Sequence, residues 1–98
     1  MLFNKLIETA RNGDTISMFE VAKCYYYGKG VEENHAEALC WYKKAADAGY
    51  DLAMFNVAEC YYYGKGTEKN HAEALCWYKK AADIGNEFAQ NKLKEMQG

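Results

Sequence analysis

Cys24-Tyr25-Tyr26-Tyr27-Gly28-Lys29-Gly30 recurs letter for letter as Cys60-Tyr61-Tyr62-Tyr63-Gly64-Lys65-Gly66. A catalytic centre needs one copy of each of its parts, so a duplicated segment at fixed spacing points to a building block. The duplication extends outward in both directions. With a shift of about 36 residues, Asp14 to Gly49 lies on Tyr50 to Gly85, and the run Asn34 to Asp47 is identical to Asn70 to Asp83. The flanks continue the pattern more weakly: Ala10 and Gly13 match Ala46 and Gly49, while Ala89, Leu93 and Met96 match Ala53, Val57 and Cys60. The chain therefore reads as one domain over 1–98, made of a partial repeat (1–13), two full repeats (14–49 and 50–85) and a capping helix (86–98).

Each unit reads as two helices, and the absence of proline leaves nothing to forbid them. In the first helix Ser17, Val21, Cys24 and Tyr25 recur at helical spacing, repeated by Ala53, Val57, Cys60 and Tyr61. In the second, Ala38, Trp41, Tyr42 and Ala45 form the stripe, repeated by Ala74, Trp77, Tyr78 and Ala81. Gly28 suits a left-handed helix end, and Gly30 frees the dihedrals of the loop that follows. Asn34 and Asn70 are N-caps, each with a glutamate three residues on, Glu37 and Glu73, as in a capping box. Gly49 and Gly85 turn the chain back. Six helices are predicted, at about 2–12, 14–27, 34–48, 50–63, 70–84 and 86–96. One helix pair cannot bury its own apolar stripe, whereas stacked copies bury it against each other, so the same residues must recur in the same register.

These residues resemble the Sel-one-like repeat, a relative of the tetratricopeptide repeat with a longer loop between its helices. The first copy carries the pattern on Val21, Ala22, Tyr25, Gly28, Gly30, Val31, Ala38, Trp41, Tyr42, Lys44, Ala45, Ala46 and Gly49. The second carries it on Val57, Ala58, Tyr61, Gly64, Gly66, Ala74, Trp77, Tyr78, Lys80, Ala81, Ala82 and Gly85. Ala22 and Ala58 stand where the family has glycine, and Thr67 where it has valine. The resemblance implies an all-α fold, a right-handed α-solenoid of stacked antiparallel helix pairs, and a protein–protein interaction module or adaptor rather than an enzyme. Small bacterial members include immunity proteins that inhibit a cognate toxin, which is the narrower alternative; a signalling or secretion component is another partner the resemblance allows.

The first helices of such pairs are expected to line a concave binding side. The candidate partner-binding residues lie on the first helix but off its stripe: Phe19, Glu20, Lys23, Tyr26 and Tyr27, then Phe55, Asn56, Glu59, Tyr62 and Tyr63. Phe19, Lys23 and Tyr26 share one face, and Phe55, Glu59 and Tyr62 repeat it with the charge reversed. Tyrosine and phenylalanine are favoured interface anchors. The competing reading has these aromatics packing between repeats. Glu20 against Asn56, Lys23 against Glu59 and Glu33 against Lys69 are the substitutions between copies that a specificity role, or neutral exposure, would produce.

The remaining chemistry is sparse. Net charge is −2, with 50% hydrophobic and 27% charged residues, an ordinary globular balance with no electrostatic case for nucleic acid or a membrane surface. No apolar run has the length of a membrane span, and Met1 to Glu8 lacks the apolar stretch of a signal peptide, so a cytoplasmic protein is expected. Cys24, Cys40, Cys60 and Cys76 include no CxxC and follow from the duplication; free thiols are expected, with a thiol- or metal-responsive role as the third hypothesis. His35 and Cys40 are about 140° apart around a helix and share no face for a metal. No cofactor is expected. Lys43-Lys44 and Lys79-Lys80 read as a solvated face. Leu2, Phe3 and Leu6 look less polar than a cap should, so a homodimer through exposed end helices is expected, whereas Lys92, Lys94 and Glu95 look like a polar cap.

Overall fold

The computed structural model describes residues 2–97, as six α-helices and no strand among them. They are α1 (Phe3–Arg11), α2 (Thr15–Tyr27), α3 (His35–Asp47), α4 (Asp51–Tyr63), α5 (His71–Asp83) and α6 (Glu87–Gln97). Each sequence-derived helix is present, with ends displaced by one residue where the cap had been counted in and α6 running one residue further, to Gln97. Every helix packs on the one before and the one after, and the molecule is drawn out to 43 × 25 × 16 Å. This is the stacked-pair solenoid.

The helix ends show why the repeat has its punctuation. Gly28 and Gly64 adopt left-handed φ of 70° and 74°, and their amides donate to the Cys24 and Cys60 carbonyls. The next amides, of Lys29 and Lys65, donate to the same two oxygens, closing α2 and α4. Asn34 and Asn70 cap α3 and α5 by accepting from the amides of Glu37 and Glu73 at 3.0 and 2.9 Å. The capping box is only half built. The Asn34 and Asn70 amides donate at 2.8 Å to the carbonyls of Tyr25 and Tyr61 rather than to a glutamate side chain. That bond serves a second purpose: it ties each loop back to the preceding helix.

Small residues make the close helix approaches. Val21, Ala22, Ala38, Ala45, Ala53, Val57, Ala58, Ala74 and Ala81 are fully buried. Between them lie the large side chains Trp41, Tyr42, Trp77 and Tyr78. The two stripes predicted on α3 and α5 are buried throughout. Cys24 and Tyr25 are only half-buried, while Cys60, the counterpart of Cys24, is in the core. Cys60 has Tyr26 and Tyr42 of the repeat before it as neighbours; Cys24 has only α1 before it. Phe19 departs from its predicted place off the stripe. It is 8% exposed and packs edge-on to Tyr50 at 5.0 Å and against Tyr42 at 5.7 Å. Two aromatic neighbours from α3 and the turn after it give its ring more contact inside than out.

Candidate protein-interaction surface

The C-terminal halves of α2 and α4 carry matching tyrosine clusters. Tyr26 and Tyr27 meet edge to face at 4.9 Å and 82°; Tyr62 and Tyr63 do so at 4.8 Å and 81°. Tyr42 closes the first cluster at 6.3 Å from Tyr26, and Tyr78 closes the second at 6.2 Å from Tyr62. His35 stacks on Tyr26 at 4.5 Å and His71 on Tyr62 at 4.7 Å. Identical residues at identical helix positions have thus produced the same three-tyrosine arrangement twice. Tyr27 remains 64% exposed and Tyr63 48%, so each cluster presents an aromatic ring to solvent.

The surroundings of the two clusters differ. The first opens onto a cavity of about 120 Å³ lined by Tyr26, Tyr27, Tyr42, Asn56, Glu59 and Cys60. In the second, the Lys92 ammonium sits 4.4 Å from the ring centre of Tyr62 and 5.0 Å from that of Tyr63. It also donates to the Tyr63 hydroxyl at 2.8 Å. Lys92 is not a plain solvated cap residue; the tyrosines draw it in because their faces are electronegative. Three of the four lysines in the two lysine pairs do the same. Lys43 donates to the Tyr61 hydroxyl at 3.2 Å, and Lys44 and Lys80 lie 4.3 and 4.2 Å from the ring centres of Trp41 and Trp77.

Of the ten candidate residues, Tyr26, Tyr27, Asn56 and Glu59 are brought together around the cavity, and Tyr62 and Tyr63 form the second cluster. Glu20 and Lys23 form an ion pair at 3.5 Å on the half-exposed flank of α2. Phe55 is half-buried between Tyr78 and Phe88, 5.8 Å from each. Phe19 lies beneath the surface. Sequence reasoning assigned Tyr42 and Cys60 to the core, where most of their area is, and so missed that both also border the cavity. Lys92 could have been found by carrying the repeat register into α6, where it falls on Asn56.

Burial and hydrogen bonding set the chemistry of these groups. The Tyr78 hydroxyl is pushed up by burial first and then by the 2.6 Å bond it donates to Glu59. In the first repeat the residue matching Glu59 is Lys23. Tyr42 is also pushed up, by burial and then by its neighbour Tyr27. Burial raises the Cys60 thiol to about 12, with Glu59 adding to the shift, and raises Cys24 as well. The four thiols are unbridged, Cys40 and Cys76 being exposed. Among the described residues no three His, Cys, Asp or Glu side chains gather as metal ligands. None of the described helices is long and apolar enough to cross a membrane.

A family model described as the Sel1 repeat matches residues 15–50 and 51–86. Three solved structures resemble the fold. A protective antigen of uropathogenic Escherichia coli with an SLR fold superposes with a TM-score of 0.91 at 30% identity, over 93% of this chain and 20% of its own. A Sel1 repeat protein from Oxalobacter formigenes gives 0.79 at 36% identity, over 82% of this chain and 33% of its own. Helicobacter pylori cysteine rich protein B gives 0.86 at 26% identity, over 92% of this chain and 68% of its own. The chain thus spans a fifth and a third of the length of the first two. No curated protein matches the sequence. Sel1 repeat proteins are generally protein–protein interaction modules and non-enzymatic scaffolds. With two family repeats covering most of its length and the stacked pairs they imply, this chain belongs to the Sel1 repeat family.

Proposed function

We propose that this chain binds a partner polypeptide on the face where α2, α4 and α6 lie in series, with Tyr26, Tyr27, Asn56, Glu59, Tyr62 and Tyr63 as its principal contacts. The observation that carries this reading is the pair of exposed tyrosines, Tyr27 and Tyr63, held in register one repeat apart, the first of them at the edge of an open cavity. Rigid aromatic rings supply large contact area at little entropic cost, which is why such residues anchor interfaces. Glu20 and Lys23 stand at the rim, where charge steers encounter more than it adds affinity. Phe19 supports this face from below, and Phe55 is shared between support and contact.

Four unbridged thiols favour work in a reducing compartment such as the cytoplasm. A toxin inhibitor would use the same surface; a strongly charged face would favour that narrower role, and the net charge of −2 does not. Self-association would bury the exposed Leu2 at the α1 end, and sedimentation at rising concentration reads it directly.

A photo-crosslinking amino acid placed at Tyr27 or at Tyr63, in the native host, tests the reading. A discrete polypeptide adduct is expected at both positions and not at exposed Cys76 on α5. Adducts no more frequent at 27 and 63 than at 76 would overturn it.

A further inference from the structure

The two tyrosine clusters share one ring geometry and differ in what stands beside them. Their ring geometries agree within about 0.1 Å between pair centres, 4.9 against 4.8 Å and 6.3 against 6.2 Å. The residue that differs in the register facing them is Asn56 on α4 and Lys92 on α6. Where lysine stands, its ammonium is held over both rings and bonded to a tyrosine hydroxyl. Where asparagine stands, the same place is a cavity of about 120 Å³. The molecule therefore displays its own occupied counterpart: two adjacent tyrosine rings at this spacing, Tyr62 and Tyr63, take an ammonium ion, and the stacked histidine, present in both clusters, does not obstruct it.

We propose that the open cage between α2 and α4 receives a lysine side chain of the bound partner, its ammonium over Tyr26 and Tyr27 and its charge facing Glu59. The proposal rests on the protein-binding reading above and adds the chemistry of the contact. Charge complementarity supports it. Glu59 lines the cavity, and one of its oxygens already accepts from Tyr78. The carboxamide oxygen of Asn56 adds an acceptor at the wall. The nearest cation on α2, Lys23, is engaged with Glu20 at 3.5 Å and lies 5.3 Å from the centre of the Phe19 ring. The hydrogen bond to Tyr63 favours the charged form of Lys92 most, with Glu59 among the charges that add to it.

The natural chain, isotope-labelled, is titrated with a Gly-Ser peptide carrying one central lysine and with the same peptide acetylated at that lysine, followed by NMR. The Tyr26, Tyr27 and Asn56 signals are expected to move with the lysine peptide and to stay with the acetylated one. Asn56→Lys supplies the cation internally and is expected to weaken peptide binding about tenfold or more. Lys92→Asn opens the second cage and adds a response at Tyr62 and Tyr63. Circular dichroism checks both variants, and if either loses its helix content the acetylation comparison on the natural chain decides alone. Equal response to both peptides, no response to either, or unchanged binding by a folded Asn56→Lys variant would overturn the proposal. Those results would leave the protein-binding reading intact, because cross-linking from Tyr27 and Tyr63 tests that separately.

Discussion

Phe19 and Tyr27 both lie on α2, yet they face opposite energetic circumstances. Phe19 is buried among Tyr42 and Tyr50, so Phe19→Ala is expected to cost about 3 kcal/mol, lost transfer energy plus a cavity. Tyr27 is exposed, and Tyr27→Ala is expected to stay within about 0.5 kcal/mol. Urea denaturation of the two variants checks both. Cys60 predicts a pH dependence. Its thiol holds its proton more tightly in the folded chain, at about 12 against 9.0 for a free thiol, through burial and then Glu59. A raised folded value means the contribution is complete below pH 9.0 and is lost as pH rises from 9.0 through about 12. Unfolding free energy is therefore expected to fall over that window, and the fall between 9.0 and 10, before tyrosines join, to be shallower in Cys60→Val. The sequence marked Cys60 as core from its spacing. It placed Phe19 off the stripe and left it open between partner contact and packing between repeats, because helical spacing locates a residue on a circle and does not say how wide the buried arc is.

At the scale of elements, the two inter-helix loops are chemically alike and sterically different. Gly30 and Gly66 both have left-handed φ, 75° and 77°. A methyl group on Gly30 would meet the Phe3 Cβ at 3.7 Å, ordinary contact. On Gly66 it would overlap the carbonyl of His35 at the start of α3, with the Ala36 nitrogen at 2.8 Å. Gly30→Ala is thus expected to cost about 1 kcal/mol in backbone conformation alone. Gly66→Ala adds overpacking against backbone, about 1–3 kcal/mol more, and thermal unfolding of the two variants measures the difference. Asn86 is a second junction. It is 4% exposed, accepts from the Ala89 amide at 2.8 Å to cap α6, and donates to Asp51 at 3.0 Å at the start of α4. Asn86→Ala is expected to cost about 1–2 kcal/mol by calorimetry, the loss of a cap together with its cross-helix bond. Glycines and asparagine caps were legible in the sequence because their roles are local. The Asn86–Asp51 bond was not, since it joins residues whose nearness exists only after the repeats have stacked.

Across the whole molecule, helices touch their sequence neighbours and little else, so stability is distributed along one dimension. The middle helices α3 and α4 are covered on both sides; α1 and α6 on one. Amide hydrogen exchange is expected to be slowest in α3 and α4, opening only with global unfolding, and faster in α1 and α6 through partial opening. Equal protection in all six helices would contradict this arrangement. Total stabilities of domains lie at about 5–15 kcal/mol, so the Phe19→Ala loss alone is a large share.

The amino-acid sequence by itself determined the helices, their ends, the repeat register and the family, because each depends on residues within a turn or two of one another or on the identity of one copy with the next. Tertiary structure alone decided which tyrosines face outward, that Lys92 fills one cage while Asn56 leaves the other open, and that Cys60 and Tyr42 border the gap. These are properties of the space between copies, and the distances that set cation–aromatic attraction and desolvation arise only once the helices are packed.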